Sequence, residues 1–237
     1  MAEIETSTVA VGDLSAYLAR PVGGSAAGMV LLPMITGIGE QVREFADTIA
    51  RTGVTALTWD PFHGPSADSH SFEQLMALYR AFDDAVALRE QGELLDHLLG
   101  ELDCAKAGVI GWCLGGRFAL LLAGSDERVA NVVAYHPTVT IPPAPNHDLD
   151  AAEYTARITA PVMMLYPGAD TLVSKESFER LQTALNSREK GASIIHVYPN
   201  AEHGFSGSTR QANPINAEAY AISWPQALEF IRVTTAK

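Results

Sequence analysis

Hydrophobic residues in this 237-residue chain recur in short, nearly continuous runs, separated by longer stretches of mixed polar and apolar character. Such runs are typical of strands in a parallel sheet covered on both faces, and the intervening stretches are typical of amphipathic helices. Six runs fit this description: GMVLLPMI (28–35), VTALTWD (54–60), AGVIGWC (107–113), VANVVAYHP (129–137), PVMMLYPG (161–168) and ASIIHVYP (192–199). The pattern predicts an α/β fold with a doubly wound, mostly parallel sheet and helices on both faces, in one domain spanning residues 1–237.

Two of the intervening stretches carry clear helix signals. EQVREFADTIARTG (40–53) places its apolar residues on one face and ends at Gly53, a usual helix stop. SKESFERLQTALNS (174–187) opens with Ser174, whose hydroxyl is a suitable N-cap. The early segment, with SAYLARPVGG (15–24), alternates enough to predict one or two antiparallel edge strands before the parallel set begins.

The net charge and the cysteine content limit the partners and the cellular compartment that we expect. The net charge of −12 argues against nucleic acid and anionic membrane surfaces, which bind through Lys and Arg, so a small molecule is the expected partner. The first residues lack a signal-peptide pattern and no run reaches the length of a membrane span, which predicts a cytoplasmic protein. Cys104 and Cys113 are then free thiols in a reducing compartment. The oligomeric state is not predicted.

The stretch GWCLGG (111–116) places Cys113 between glycines where a strand should end and a helix begin. Small residues two before and two after the centre of such a turn let the strand and the helix approach each other. A thiol at the start of a helix also has a lowered pKa, because the N-terminal N–H groups favour anions. Taken alone, the motif fits a buried structural cysteine equally well.

Candidate partners for this cysteine follow two later strands. Asp170 comes after PVMMLYPG and His203 after ASIIHVYP, which gives the chain order nucleophile, acid, histidine of a hydrolase with this type of turn. The remaining histidines have weaker cases, and a structural role is favoured for each, with His136 at most lining a pocket: His63, His70, His97, His136, His147 and His196.

With these residues in place, the chain resembles the dienelactone hydrolase family of the α/β-hydrolase superfamily over nearly its full length. The matching motifs are GWCLGG, PGADTLVS, AEHGFS, WDPF (59–62) and LYRAFDD (78–84). The resemblance implies that Cys113 is the nucleophile, His203 the base and Asp170 the residue that orients the imidazole. It implies an oxyanion hole from the backbone N–H groups of Ile35 and Leu114. The implied reaction hydrolyses a small ester or lactone through a thioester, with no metal and no organic cofactor.

The chain departs from the family pattern at a residue thought to hold the resting thiol. Family members have a glutamate in the loop after the first parallel strand, and the matching position here is Met34. Glu40 is close in sequence, and a favourable first-turn helix charge is its more usual role. We therefore hypothesise that Cys113 rests as a thiolate paired with His203 more of the time than in relatives.

A second departure concerns substrate binding. The family's two substrate-binding arginines have Phe72 and Gly207 at the matching positions, whereas Arg80 and Arg210 lie nearby. Met34, Phe62, Arg80, Phe205 and Arg210 are the candidate substrate contacts. The apolar replacements and the acidic surface favour an ester or lactone less anionic than dienelactone itself.

Three other functions remain open at this stage. A general carboxylesterase or thioesterase would share the cysteine turn, and a non-catalytic ligand-binding protein would share the fold. A redox-sensing thiol is the third, although Cys104 should lie at the opposite end of the strand that presents Cys113 and is a poor resolving cysteine.

Overall fold

Eight strands join into one sheet in the order β1-β2-β4-β3-β5-β6-β7-β8. The computed structural model describes residues 2–236. Its strands are β1 (Ile4–Val11), β2 (Leu14–Pro21), β3 (Ala27–Leu32), β4 (Thr55–Thr58), β5 (Lys106–Trp112), β6 (Val129–Tyr135), β7 (Val162–Pro167) and β8 (Ser193–Tyr198). The pairs β1–β2 and β2–β4 are antiparallel, and β3 to β8 run parallel to one another. All six predicted runs form strands. Two antiparallel strands precede the parallel set, as predicted: β1 lies at the edge of the sheet, and β2, which contains most of SAYLARPVGG, is paired on both sides.

Helices cover both faces of this sheet. They are α1 (Glu40–Arg51), α2 (Phe72–Tyr79), α3 (Asp84–Leu99), α4 (Leu114–Ser125), α5 (Ala151–Arg157), α6 (Lys175–Asn186) and α7 (Pro214–Thr235), with a short 3-10 helix at Ser208–Arg210. Buried residues of α1 and α7 form one core with alternate strand residues such as Leu31. Buried residues of α3, α4, α5 and α6 form the other, with the intervening strand residues such as Val30. The predicted α/β architecture is confirmed.

The helix signals seen in the sequence correspond to actual caps. Ser174 is the N-cap of α6, where its hydroxyl accepts the N–H of Ser177 at 3.2 Å. Gly53 follows the end of α1 with φ of +98°, and its N–H donates to the carbonyl of Ala50 at 2.9 Å. The left-handed conformation ends the helix and turns the chain into β4.

Loops at the carboxyl ends of the parallel strands carry the candidate site residues. Ile35 follows β3, Cys113 follows β5, Asp170 follows β7 and His203 follows β8. Because these strands run parallel, their carboxyl ends share one edge of the sheet, which is where ligands bind in such folds. Among residues 2–236, no helix has the length and apolar character needed to cross a membrane.

Candidate active site

The turn between β5 and α4 holds Cys113 in a backbone conformation that L residues rarely adopt, with φ of +54° and ψ of −112°. Close backbone packing at Gly111 and Gly115, on either side of Cys113, maintains this conformation. A Cβ on Gly115 would lie 1.9 Å from the carbonyl oxygen of Leu32, and one on Gly111 would lie 2.0 Å from that of Gly115. The strained turn expected from GWCLGG is therefore present, and the surrounding packing maintains the strain.

Asp170 and His203 form a direct ion-pair contact. His203 Nδ1 lies 2.7 Å from Asp170 Oδ2, and the carboxylate side chain is only 1% exposed. The other oxygen, Oδ1, accepts the backbone N–H groups of Leu172 at 2.8 Å and Val173 at 2.9 Å. Because the carboxylate accepts at Nδ1, that nitrogen carries a proton, and Nε2 is left to face the thiol.

The Cys113 sulfur sits beside a residue that the sequence analysis did not single out. Sγ lies 3.1 Å from Oγ1 of Thr138, and the same Oγ1 lies 3.5 Å from His203 Nε2. Thr138 comes three residues after the end of β6, so it shares the edge of the sheet where the other loops meet. A hydroxyl beyond the carboxyl end of a central strand was the only available sequence signal.

The pKa values of the thiol and the imidazole move in opposite directions. Burial raises the pKa of the Cys113 thiol, but the hydrogen bond and charge of His203, together with hydrogen bonds from Thr138 and the backbone N–H of Leu114, outweigh burial, so the pKa falls. Burial lowers the pKa of His203, yet hydrogen bonds to Asp170 and Cys113 raise it to about 10. Both shifts favour a thiolate beside an imidazolium.

The two expected oxyanion donors lie at the same corner. The N–H of Gly115 donates to the carbonyl of Pro33 at 3.1 Å, which holds the first turn of α4 against the loop after β3. Ile35 lies two residues further along that loop and Leu114 opens α4. Within residues 2–236, neither of their N–H groups donates to a backbone carbonyl.

A second histidine packs beneath the first. His136 is 1% exposed, its Nε2 lies 2.8 Å from Ser206 Oγ, and its ring centroid is 5.0 Å from that of His203. Burial, with the nearby His203 charge, lowers its pKa well below the ordinary value. His136 is therefore a neutral support for the His203 ring, with no surface that lines a pocket.

Phe205 requires a correction. It was expected to contact substrate, but its ring is fully buried at 0% exposure and packs on Tyr135, His136 and Tyr198. A side chain with no accessible surface offers nothing to a ligand. The apolar residue next to Gly204 belongs to the core under the histidine loop.

The remaining candidate contacts are spread around the site. Met34 and Phe62 are each 9% exposed, and Phe62 lies against the loop after β3, near Gly37. Arg80 caps the end of α2 and Arg210 ends the 3-10 helix, and both are exposed. Glu40 is exposed in the first turn of α1, where it supplies a favourable helix charge.

A buried polar cluster supports the loop after β6. Arg117 pairs with Asp84 through two hydrogen bonds of 2.7 and 2.6 Å, with both side chains at most 2% exposed. Leu149 donates its N–H to Asp84 at 2.9 Å and accepts from Arg117 at 2.8 Å. Beside them, the Tyr79 hydroxyl lies 2.7 Å from His147 Nε2. These contacts join α2, α3 and α4 to that loop.

No group of three or more His, Cys, Asp or Glu residues within residues 2–236 is arranged to hold a metal ion. Cys104 is buried before β5, and its Sγ lies 3.4 Å from the carbonyl oxygen of Ser25. It is therefore at the opposite end of β5 from Cys113, as the sequence predicted.

Comparisons with known proteins indicate the family of this chain. The model of the dienelactone hydrolase family matches residues 14–234. A carboxymethylenebutenolidase of Rhodococcus opacus is 32% identical, with 87% of this chain and 81% of that protein covered. A Salmonella typhi protein provisionally given the same name is 28% identical, with 92% and 82% covered.

Among solved structures, a Klebsiella pneumoniae protein provisionally described as a dienelactone hydrolase superposes with a TM-score of 0.86. The two share 22% sequence identity, and the match covers 97% of this chain and 98% of that one. At this identity the likeness establishes a common fold.

Proposed function

Because the chain belongs to the dienelactone hydrolase family and is a hydrolase of ester or lactone bonds, we propose that Cys113, His203 and Asp170 form its catalytic triad and that the reaction passes through a thioester. The observation that carries this proposal is the thiol itself. Cys113 stands on a strained turn at the start of α4, close to the imidazole of His203. The other nitrogen of that imidazole, Nδ1, is held by the buried carboxylate of Asp170.

Acylation starts from the thiolate. The sulfur attacks the carbonyl carbon, and the π electron pair moves to the oxygen, where the N–H groups of Ile35 and Leu114 receive the negative charge. Each such donor is worth about 2.7–4 kcal/mol in related acyl transfers. The intermediate then collapses, the carbon–oxygen bond to the leaving group breaks, and that oxygen takes the proton from Nε2 of His203. In a lactone the alcohol stays attached to the acyl group.

Deacylation reverses the roles. His203, now neutral, accepts a proton from water through Nε2 while the hydroxide attacks the thioester carbon. The carbon–sulfur bond breaks, the acid leaves, and the thiolate is restored beside the imidazolium. Asp170 keeps Nδ1 protonated throughout, so that Nε2 alone exchanges the proton.

The substrate is an ester or lactone less anionic than dienelactone. Phe72 and Gly207 stand where relatives carry substrate-binding arginines, and the chain has a net charge of −12. Arg80 and Arg210 are exposed and are the available cations for a carboxylate. Simple ester hydrolysis is the second candidate, because it needs no such anchor.

The test compares hydrolysis of a dienelactone and of a short nitrophenyl ester by the wild type, Cys113→Ala and Cys104→Ala. Cys104→Ala is the matched control, since it removes the other free thiol at the far end of β5. We expect Cys113→Ala to lose turnover of both compounds and Cys104→Ala to retain it, with the nitrophenyl ester preferred by the wild type.

Retained turnover in Cys113→Ala would overturn the thioester mechanism. A strong preference of the wild type for the dienelactone would overturn the proposed substrate class while leaving the triad intact. Mass spectrometry of the enzyme quenched during ester turnover should show an acyl adduct on Cys113, which the general binding-protein alternative does not predict.

A further inference from the structure

Backbone hydrogen bonds hold Thr138 against the turn that carries Cys113. Its N–H donates to the carbonyl of Cys113 at 3.0 Å, and the N–H of Cys113 donates to the carbonyl of Tyr135 at 3.0 Å. These two bonds tie the loop after β6 to both sides of the turn. The position of the Thr138 side chain relative to the sulfur is therefore fixed by the fold.

The hydroxyl of Thr138 contacts both reacting atoms of the proposed proton transfer. Oγ1 lies 3.1 Å from Cys113 Sγ and makes a longer contact of 3.5 Å to His203 Nε2. A hydroxyl has one hydrogen to donate and two lone pairs to accept. When the S–H bond breaks and the N–H bond on Nε2 forms, Oγ1 faces a donor at nitrogen and an anion at sulfur.

We propose that Thr138 is a further catalytic residue, whose hydroxyl donates a hydrogen bond to the Cys113 sulfur and stabilises it as the thiolate. The inference rests on the proposed function, because it concerns the nucleophile of that triad.

Other charged and titratable groups face the same sulfur. His203 reaches it from the loop after β8. Asp170, after β7, contacts the other nitrogen of that imidazole at 2.7 Å, and Tyr79 on α2 lies close enough for the charge of Cys113 to act on it. His136, behind His203, is neutral by burial. A hydroxyl donor adds to the effect of the imidazolium without changing the net charge of the site.

The test measures the rate of iodoacetamide alkylation of Cys113 against pH, with Cys113→Ala supplying the background from Cys104. Thr138→Val keeps the shape of the side chain and removes the hydroxyl, whereas Thr138→Ser keeps the hydroxyl. Thr140→Val is the matched control, because its Oγ1 is buried without a hydrogen-bond partner two residues along the same loop.

We expect the thiol pKa to rise by about one unit in Thr138→Val, as loss of a hydrogen bond to a charged group predicts. Thr138→Ser and Thr140→Val should stay within about 0.3 unit of the wild type, which is well below that shift. Coincident profiles for Thr138→Val and the wild type would overturn the proposal, and so would an equal shift in Thr138→Ser, which would indicate packing. If Thr138→Val does not fold, Thr138→Ala supplies the hydroxyl-free comparison.

Alkylation of Cys113 does not require turnover. The thioester mechanism and the role of Thr138 can therefore be tested independently of each other. If Cys113→Ala still hydrolyses esters, the thioester mechanism is wrong, and the alkylation profiles still decide whether Thr138 stabilises the thiolate. If Cys113→Ala is inactive and the profiles coincide, the triad stands and Thr138 is structural.

Discussion

At the scale of single residues, the ionisation of Cys113 depends on a short chain of contacts. Its sulfur meets Thr138, and the nearby His203 is held by a carboxylate whose other oxygen is occupied by two backbone N–H groups. These two backbone hydrogen bonds fix the Asp170 carboxylate independently of His203. In the proposed triad, its role is to set which nitrogen of His203 carries the proton.

The substitution Asp170→Asn tests this assignment. An amide donor facing Nδ1 favours the tautomer with its proton on Nε2, and the base then has no lone pair facing the thiol. We expect kcat to fall about 100- to 10,000-fold with little change in folding, because the side chains are nearly isosteric. Steady-state kinetics and thermal melting measure the two effects.

Asp103→Asn is the control for this substitution. Asp103 has a positive φ of +52°, which asparagine tolerates, and it precedes β5 at the end away from the site. The Asp103→Asn variant should have the same activity as the wild type. An Asp170→Asn enzyme with full activity would show that His203 does not depend on this carboxylate.

At the scale of elements, the joint between β5 and α4 is where the backbone of the site is most constrained. The first turn of α4 approaches β3 so closely that only a hydrogen fits at Gly115, and it approaches the end of β6 through Gly116. The helix N-terminus, the loop after β3 and the loop after β6 therefore meet around one sulfur.

Gly115→Ala should disrupt this joint. The new Cβ would lie 1.9 Å from the carbonyl oxygen of Leu32, which is backbone and cannot rotate away. We expect the free energy of unfolding to fall by about 3 kcal/mol or more and activity to be lost. Urea unfolding measures the stability.

Gly92→Ala makes the same chemical change inside α3, where a Cβ meets nothing within 4 Å. We expect it to stabilise the protein by about 0.5–1 kcal/mol through helix propensity. Equal stability of Gly115→Ala and the wild type would mean that β3 and α4 can separate, against the packing described above.

The sequence predicted these elements because its patterns are local. The six strands, the caps at Ser174 and Gly53, and the turn at Cys113 are each encoded in fewer than about fifteen neighbouring residues. The side-chain contacts across the site are not. Arg117 pairs with Asp84 across 33 positions and Tyr79 meets His147 across 68, so no periodicity indicates them.

The same distinction explains the errors at the site. Thr138 was missed because its contact with Cys113 depends on the approach of the loop after β6 to the turn. Phe205 was misplaced because motif position does not reveal which way a ring points. Phe205 turns into the core, whereas the neighbouring His203 reaches the site.

At the scale of the whole molecule, one buried and one half-buried histidine, both neutral in the folded protein, link folding to pH. Burial, reinforced by Arg117 and partly offset by Asp84, lowers the pKa of His147 to about 4. His136 is also held neutral, mainly by burial. In the unfolded chain both would take up protons near their ordinary value of about 6.5. As pH falls through this window, the unfolded state binds more protons than the folded state, so the free energy of unfolding decreases.

His147→Gln should weaken this dependence, because it removes one group that protonates only on unfolding. Between pH 7 and 4.5 we expect the loss of unfolding free energy to shrink by about 1 to 2 kcal/mol, a range that allows for the partial exposure of His147. Urea titrations at both pH values measure it, and His97→Gln, the same change on α3, controls for loss of a ring. If both variants lose stability as steeply as the wild type, His147 is protonated in the folded protein, and Tyr79 then accepts its hydrogen bond instead of donating one.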